Sequence, residues 1–170
     1  MVARCSPTHH TFYQTDPAPD SADGCRPTAD LSKAGSEALL KRNSVGRVAF
    51  SFHDSVDIRP IHYVYADGWL FGRTSAGDKL VTLRHNQWVA FEVDEIEGPL
   101  DWQSVVIRGS FYRIQNEGNA HDVRLYAMAL AAVRTLVPEA LTDRDPLAFR
   151  TEVFGISIDS ISGRSCSTRE

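Results

Sequence analysis

The chain has 170 residues and a formal net charge of -4, with 18 Lys and Arg against 22 Asp and Glu. This length suits one well-packed domain, and the charge balance lacks the basic field that drives nucleic-acid binding. The sequence contains neither a run of about 18 apolar residues nor an apolar block near its amino terminus, so we expect no membrane span, no signal peptide and a cytoplasmic location.

The first part of the chain differs from the rest in composition. Residues 1–29 contain four prolines among Ser, Thr, Asp and His and almost no large aliphatic side chain. This composition predicts a disordered or loosely attached tail. We therefore expect one folded domain over 30–164, followed by a short tail over 165–170.

The three cysteines, Cys5, Cys25 and Cys166, lie in polar stretches near the two ends. An odd number of cysteines in a cytosolic chain argues against a disulfide framework, so free thiols are expected. Cys5 and Cys25 with His9 and His10 match the spacing of no common zinc module. We expect no metal site.

The first predicted helix lies in "DLSKAGSEALLKRN" (30–43), where Ser32 is a good N-cap and the helix ends before Gly46. Alternating apolar residues then predict three successive strands, "VGRVAFSF" (45–52), "VDIRPIHYVY" (56–65) and "GWLFGRT" (68–74). Asp67-Gly68 predicts the tight turn before the third strand. Pro60 predicts that the second strand lies at a sheet edge or carries a bulge.

Later segments continue this pattern. "GDKLVTLRHN" (77–86) predicts a short helix, and "QWVAFEVDEI" (87–96) and "WQSVVIRGSFYRI" (102–114) predict two strands. A longer helix is expected between an Asn119 cap and Pro138, before a last strand, "EVFGISIDSISGR" (152–164). Six mostly antiparallel strands with a few flanking helices indicate a small barrel of the α+β class.

The stretch "RTSAGDKL" (73–80) has the chemistry of a phosphate site. Backbone N–H groups at a strand-to-helix turn attract anions. Arg73 adds a bidentate fork, Lys79 a mobile charge, and Thr74 and Ser75 hydroxyl donors. The alternative is that Ser75 caps the helix and that the two cations are solvated surface charges.

Four stretches in order, "VGRVAF", "DIRPIHYVYADGWLFGRTSAGDKL", "VAFEVDEIEGPLDWQSVVIRGSFYRI" and "ISGR", resemble the flavin-nucleotide-binding split barrels of the pyridoxamine 5'-phosphate oxidase-like superfamily, in particular its nitroimidazole-resistance branch. The resemblance spans about residues 31–164. It implies a six-stranded split barrel that forms a homodimer and binds FMN at the subunit interface.

The resemblance also implies which residues bind the cofactor. Arg73, Thr74, Ser75 and Lys79 would hold the phosphate, and Arg59-Pro60-Ile61-His62-Tyr63 would run along the edge of the flavin ring. Ser104 would touch the flavin, with Trp102 and Gln103 lining the same cleft from the same or the second subunit. The alternative for Trp102 is an ordinary core aromatic, and the alternative for His62 is a structural histidine.

The function that follows is an FMN-dependent oxidoreductase acting on a small, electron-poor compound, with protons from water, His62 or Tyr63. The tail "SGRSCSTRE" lacks the arginine and histidine pattern with which true pyridoxamine phosphate oxidases hold their substrate. A flavin-binding module with little turnover is one alternative. Another is the same barrel holding deazaflavin or haem, with His53, His62 or His85 as axial-ligand candidates.

Large aromatic residues bear on the expected dimer. Trp88, Phe91 and Phe111 are many for one small barrel, and a two-fold interface would bury some of them. Placement of all three in the core is the alternative.

Overall fold

The computed structural model describes residues 28–52, 55–77, 80, 83 and 85–167. In chain order its elements are β1 (Ala29–Asp30), α1 (Lys33–Arg42), β2 (Val45–Phe52), β3 (Ser55–His62), β4 (Val64–Ala66), β5 (Trp69–Thr74), β6 (Trp88–Gly98), β7 (Asp101–Ile114), α2 (Ala120–Leu136) and β8 (Glu152–Cys166). Residues 1–27 of the predicted tail lie outside the described residues, and so do residues 168–170. Of the predicted short helix, Leu80, Leu83 and His85 are described and helical.

The strands form one antiparallel sheet with the order β3-β2-β6-β7-β8-β5-β4, and β1 pairs with β8. The sheet, together with α1 and α2, is an α+β arrangement consistent with a split barrel. β3 pairs with β2 and ends the strand order, which confirms the edge position predicted from Pro60. The last strand continues to Cys166, two residues past the predicted domain boundary.

The predicted strand count of six becomes eight for two reasons. A two-residue strand, β1, adds to the sheet, and the predicted second strand divides at Tyr63. Before Tyr63 the chain pairs with β2, whereas after it the chain pairs with β5. The Tyr63 N–H donates to the Ser44 carbonyl at 2.9 Å, so this residue is the point where the chain changes partner.

The predicted turn at Asp67-Gly68 is confirmed. Asp67 has φ 49° and Gly68 has φ 79°, and they join β4 to β5. Two consecutive residues with positive φ are typical of the tight hairpin turn whose twist matches the strands that it connects.

Both predicted helix caps are confirmed. The Ser32 hydroxyl accepts the Gly35 N–H at 3.1 Å, and the Asn119 side chain accepts the N–H groups of His121 and Asp122. The longer helix ends at Leu136, just before Pro138. None of the helices in the described ranges is long and apolar enough to cross a membrane.

The main core fills the barrel. Phe91 is fully buried, and its ring meets that of Tyr63 edge-on at a centroid distance of 4.8 Å. Phe111 is also buried, whereas Trp88 is 65% exposed. Of the three aromatic residues considered for an interface, only Trp88 is therefore accessible in a single chain.

A second, smaller core lies between α2 and the sheet. It is made by Phe71, Ile114, Ala129, Ala132 and Val153. Small alanines on the inner side of α2 let the helix approach the strands closely. This packing fixes the carboxyl end of α2, and with it the start of the segment that follows.

Candidate functional site

A polar cavity of about 290 Å³ lies where β3 and β5 end. Its lining combines the end of β3, the end of β5 and three residues from elsewhere: Pro60, Ile61, His62, Arg73, Thr74, Ser75, Val45, Phe149 and Arg150. The ends of β3 and β5 contain two of the segments that are predicted to bind the cofactor, 60–62 and 73–75. The fold brings them together in one place.

The hairpin of β4 and β5 makes this meeting possible. It returns the chain past the end of β3, so that Gly72 lies against His62. A Cβ at Gly72 would be 2.6 Å from the His62 carbonyl oxygen. A side chain at this position would therefore separate the two strands.

Arg73 has a partner that the sequence did not reveal. Only 4% of its side chain is exposed, and both terminal nitrogens donate to the carboxylate of Asp145, whose side chain is 2% exposed. The Nη2–Oδ1 distance is 2.8 Å. The bidentate fork predicted to face a phosphate thus engages an internal carboxylate.

The environment of Asp145 favours its charged form. The hydrogen bond from Arg73 lowers the pKa of Asp145 well below its usual range, against the opposing effect of burial. The backbone N–H groups of Leu141 and Leu147 lower it further, each donating to the carboxylate at 2.8 Å. Residues 137–150, the strap, are therefore tied to β5 through one side chain.

The strap places Arg150 and Phe149 at the cavity. Arg150 is half-buried, and its Cζ lies 5.7 Å from the centre of the Phe149 ring. Its backbone N–H donates to the Leu147 carbonyl at 2.9 Å. Among the described ion pairs none involves Arg150, so its guanidinium is a cation without a carboxylate partner there.

A second cavity, of about 280 Å³, lies next to the first. The two share His62, Arg73 and Arg150. The remaining lining is mostly apolar and comes from α2, the strap and the strands: Ser44, Tyr63, Val64, Phe71, Gly72, Val133, Leu136, Val137 and Leu147. The site therefore has a polar half and an apolar half with two arginines and a histidine between them.

The two candidate proton donors have different surroundings. His62 is exposed and lines both cavities. Tyr63 lines the apolar cavity but is 1% exposed, and its hydroxyl donates to the Leu40 carbonyl at 3.0 Å. Burial raises the pKa of Tyr63 far above its ordinary value. His62 is thus the better placed of the two for exchanging protons.

Other predicted cofactor residues lie elsewhere. Arg59 is exposed on β3, and its Nε donates to Asp57 at 2.9 Å. Trp102, Gln103 and Ser104 lie on β7, where the Gln103 side chain accepts a hydrogen bond from Arg42 at 2.9 Å. None of these four is among the residues lining the two cavities.

The remaining predicted residues are Lys79, for the phosphate, and His53 and His85, as axial-ligand candidates. Lys79 and His53 lie outside the described residues. His85 is described and exposed, and it lines neither the polar nor the apolar cavity. Of the two described axial-ligand candidates, His62 is therefore the one that lines the cavities.

Most of the chain is similar to known proteins. A family model described as pyridoxamine 5'-phosphate oxidase matches residues 32–165. An uncharacterized protein of Rhizobium meliloti is 22% identical over 149 residues, which cover 82% of this chain and 96% of that protein.

Solved structures show the same fold. An FAD-binding protein from Mycobacterium smegmatis is 26% identical with a TM-score of 0.60, covering 80% of this chain and 98% of that one. An FAD-binding protein from Mesorhizobium loti is 24% identical with a TM-score of 0.67, covering 82% and 99%. A putative 5-nitroimidazole antibiotic resistance protein from Bacteroides thetaiotaomicron is 16% identical with a TM-score of 0.62, covering 84% and 89%. Because the family model matches residues 32–165, which include α1, α2 and the strands β2 to β7, the chain belongs to the pyridoxamine 5'-phosphate oxidase-like family.

Proposed function

We propose that this protein binds a flavin nucleotide at the paired cavities and is an oxidoreductase for a small, electron-poor compound. The observation that carries the proposal is the meeting of the ends of β3 and β5 in one polar cavity. These are the segments for which the family resemblance implies ring and phosphate contacts. The similarity to the FAD-binding protein from Mycobacterium smegmatis supports a flavin as the ligand.

The donors at the polar cavity suit a phosphate. Thr74 and Ser75 supply hydroxyl groups and Arg150 a guanidinium, and none of the described lining residues is acidic. Hydroxyl and guanidinium donors are those that proteins use for phosphate oxygens. The chemistry of the residues present therefore fits the charged end of a flavin nucleotide.

The edge strand suits the flavin ring. β3 pairs with β2 along one edge, which leaves backbone N–H and C=O groups on its other edge for a ligand. A heterocycle with alternating donors and acceptors matches such an edge. We favour FMN as the nucleotide, with FAD as the alternative.

A bound flavin supplies two-electron transfer between a donor such as a reduced nicotinamide and an acceptor. The protein's part is to position the acceptor and to manage protons. His62, between the polar and apolar cavities, is our candidate for holding a proton near the acceptor. The apolar cavity would exclude water and receive a flat, poorly charged molecule.

We also propose that two copies of the chain share the site. β7 is three strands from β3 in the sheet order, which is about 14 Å at the usual strand spacing. Trp102, Gln103 and Ser104 therefore reach a flavin at β3 more readily from a second subunit than from the same one.

Absorbance spectroscopy tests the proposal. The full chain is incubated with excess FMN, FAD or riboflavin, desalted and measured, and affinities are determined by quenching of flavin fluorescence. We expect retained flavin bands with FMN and, in the presence of a nicotinamide donor, faster turnover when an electron-poor acceptor is added. Binding without turnover for any acceptor would favour the binding-module alternative. A haem Soret band or a deazaflavin spectrum in the purified protein would replace flavin with that cofactor.

A further inference from the structure

The charge on Arg73 is already balanced inside the protein. Its fork donates to Asp145, and both side chains are almost completely buried. Turning the Arg73 fork from Asp145 to a phosphate would leave an uncompensated carboxylate in the interior, which is costly, and in place its single positive charge is already shared with Asp145. A negatively charged ligand therefore needs another cation.

Arg150 meets this need. It lines the polar cavity together with Thr74 and Ser75, and it has no described carboxylate partner. Two arginines line both cavities, and Arg150 is the one that does not pair with Asp145. Its guanidinium can accordingly pair with a ligand anion without breaking an internal ion pair.

The strap holds Arg150 in place before any ligand binds. Asp145 fixes the strap through the N–H groups of Leu141 and Leu147 as well as through Arg73. After Leu147 the backbone forms a turn that is closed by the hydrogen bond from the Arg150 N–H to the Leu147 carbonyl. A cation on a segment fixed at several points loses less conformational freedom on binding than one on a flexible loop.

We infer that, among the described residues, Arg150 is the phosphate-binding cation of this site, and that Arg73 and Asp145 position it by anchoring the strap. The ligand class is a phosphomonoester or phosphoanhydride, with Thr74 and Ser75 completing its hydrogen bonds. This inference rests on the proposed function for the identity of the ligand, but the anion site itself does not depend on a flavin.

Comparison of FMN with riboflavin isolates the phosphate. In the wild-type chain we expect FMN to bind more tightly than riboflavin. Arg150→Ala should weaken FMN binding by about 10- to 100-fold, the range for a lost charged hydrogen bond, and leave riboflavin binding unchanged. Arg150→Lys should restore part of the loss. Arg144→Ala, which removes the same charge from an exposed position of the strap, is the matched control and should bind like the wild type.

A second measurement separates the two proposals. The melting temperature is recorded with inorganic phosphate and with chloride at equal ionic strength, for the wild type and Arg150→Ala. Stabilisation by phosphate that Arg150→Ala abolishes would support the anion site even if no flavin binds. If FMN binds the wild type and Arg150→Ala equally, and phosphate stabilises both equally, the flavin proposal stands and the role of Arg150 is wrong. If neither FMN binding nor phosphate stabilisation depends on Arg150, the inference is likewise overturned.

Discussion

Arg73 and Asp145 show how one side chain is given its role by a distant partner. They are 72 positions apart in sequence, yet they form a buried bidentate ion pair. Taking either partner away leaves a charge in the protein interior without compensation. Arg73→Ala is therefore a poor test of phosphate binding, since the strap would also lose its connection to β5.

The Arg73–Asp145 pair should make stability depend on pH. Arg73 lowers the pKa of Asp145 in the folded state. The stabilising contribution is therefore complete above the ordinary aspartate pKa of about 4 and is lost as the pH falls towards the lowered value. We expect Asp145→Asn to melt about 5 °C or more below the wild type at neutral pH, and the gap to narrow below about pH 4. Thermal denaturation followed by circular dichroism at several pH values measures both effects.

Asp143→Asn is the control for this experiment. Asp143 is exposed on the same strap, so its substitution changes the charge without breaking the buried pair. Its melting profile should follow that of the wild type. A constant gap between Asp145→Asn and the wild type across the acidic range would contradict the assigned ion-pair role.

At the scale of elements, the alternation of apolar residues predicted the six main strand segments because it is a local property of a half-buried strand. It could not predict that the chain changes partner at Tyr63. The period of two continues unbroken through Tyr63 and Tyr65, while the partner depends on where β5 and β2 lie in the folded sheet. The two caps and the Asp67-Gly68 turn were predictable because their signals are also local.

The candidate site likewise has one part that could be predicted from the sequence and one part that could not. The segments at Pro60–His62 and Arg73–Ser75 could be named from the sequence because they resemble a family pattern. The strap could not be, since "LTDRDPLAFR" contains several charged residues and nothing local shows which one meets Arg73. A signal did exist in Asp145-Pro146, which is typical of an ordered turn, but it gives no partner. Arg150 was missed for this reason.

The bulge between β7 and β8 offers a test of strand packing. The register shifts between Arg108 and Gly109, and a Cβ at Gly109 would clash with the carbonyl oxygen of Ser157. We expect Gly109→Ala to lower the free energy of unfolding by about 1–3 kcal/mol, because the two longest strands must separate to admit a methyl group. Urea denaturation measures this change.

Gly98→Ala is the matched control, since a Cβ at Gly98 has no other atom within 4 Å. It should change the free energy of unfolding by a few tenths of a kcal/mol. Equal effects of the two substitutions would show that the close approach at Gly109 does not constrain the sheet.

On the scale of the whole molecule, the outer side of the sheet carries exposed apolar side chains near its β3 edge. Val56 and Ile58 on the edge strand are 70% and 60% exposed, and Trp88 on β6 is 65% exposed. Ile58 lies opposite Ala49, which in turn lies opposite Ala90, so small residues continue the apolar surface between the strands. Exposed apolar side chains clustered on an edge strand favour association with another chain.

We expect the wild-type chain to be a dimer at micromolar concentration, with this surface at its interface. Ile58→Lys should weaken the dimer by about tenfold or more, because a lysine ammonium would be buried against apolar side chains. If the partner's Trp102–Ser104 segment completes the cofactor site, the same substitution should also weaken FMN binding, although Ile58 lines neither cavity. Light scattering after size-exclusion chromatography measures the first effect, and flavin fluorescence measures the second.

Val123→Lys places the same charge on a 44% exposed residue of α2 and should leave both dimerisation and FMN binding unchanged. A wild-type monomer at these concentrations would refute the shared site, and a dimer that survives Ile58→Lys would move the interface to another face of the sheet.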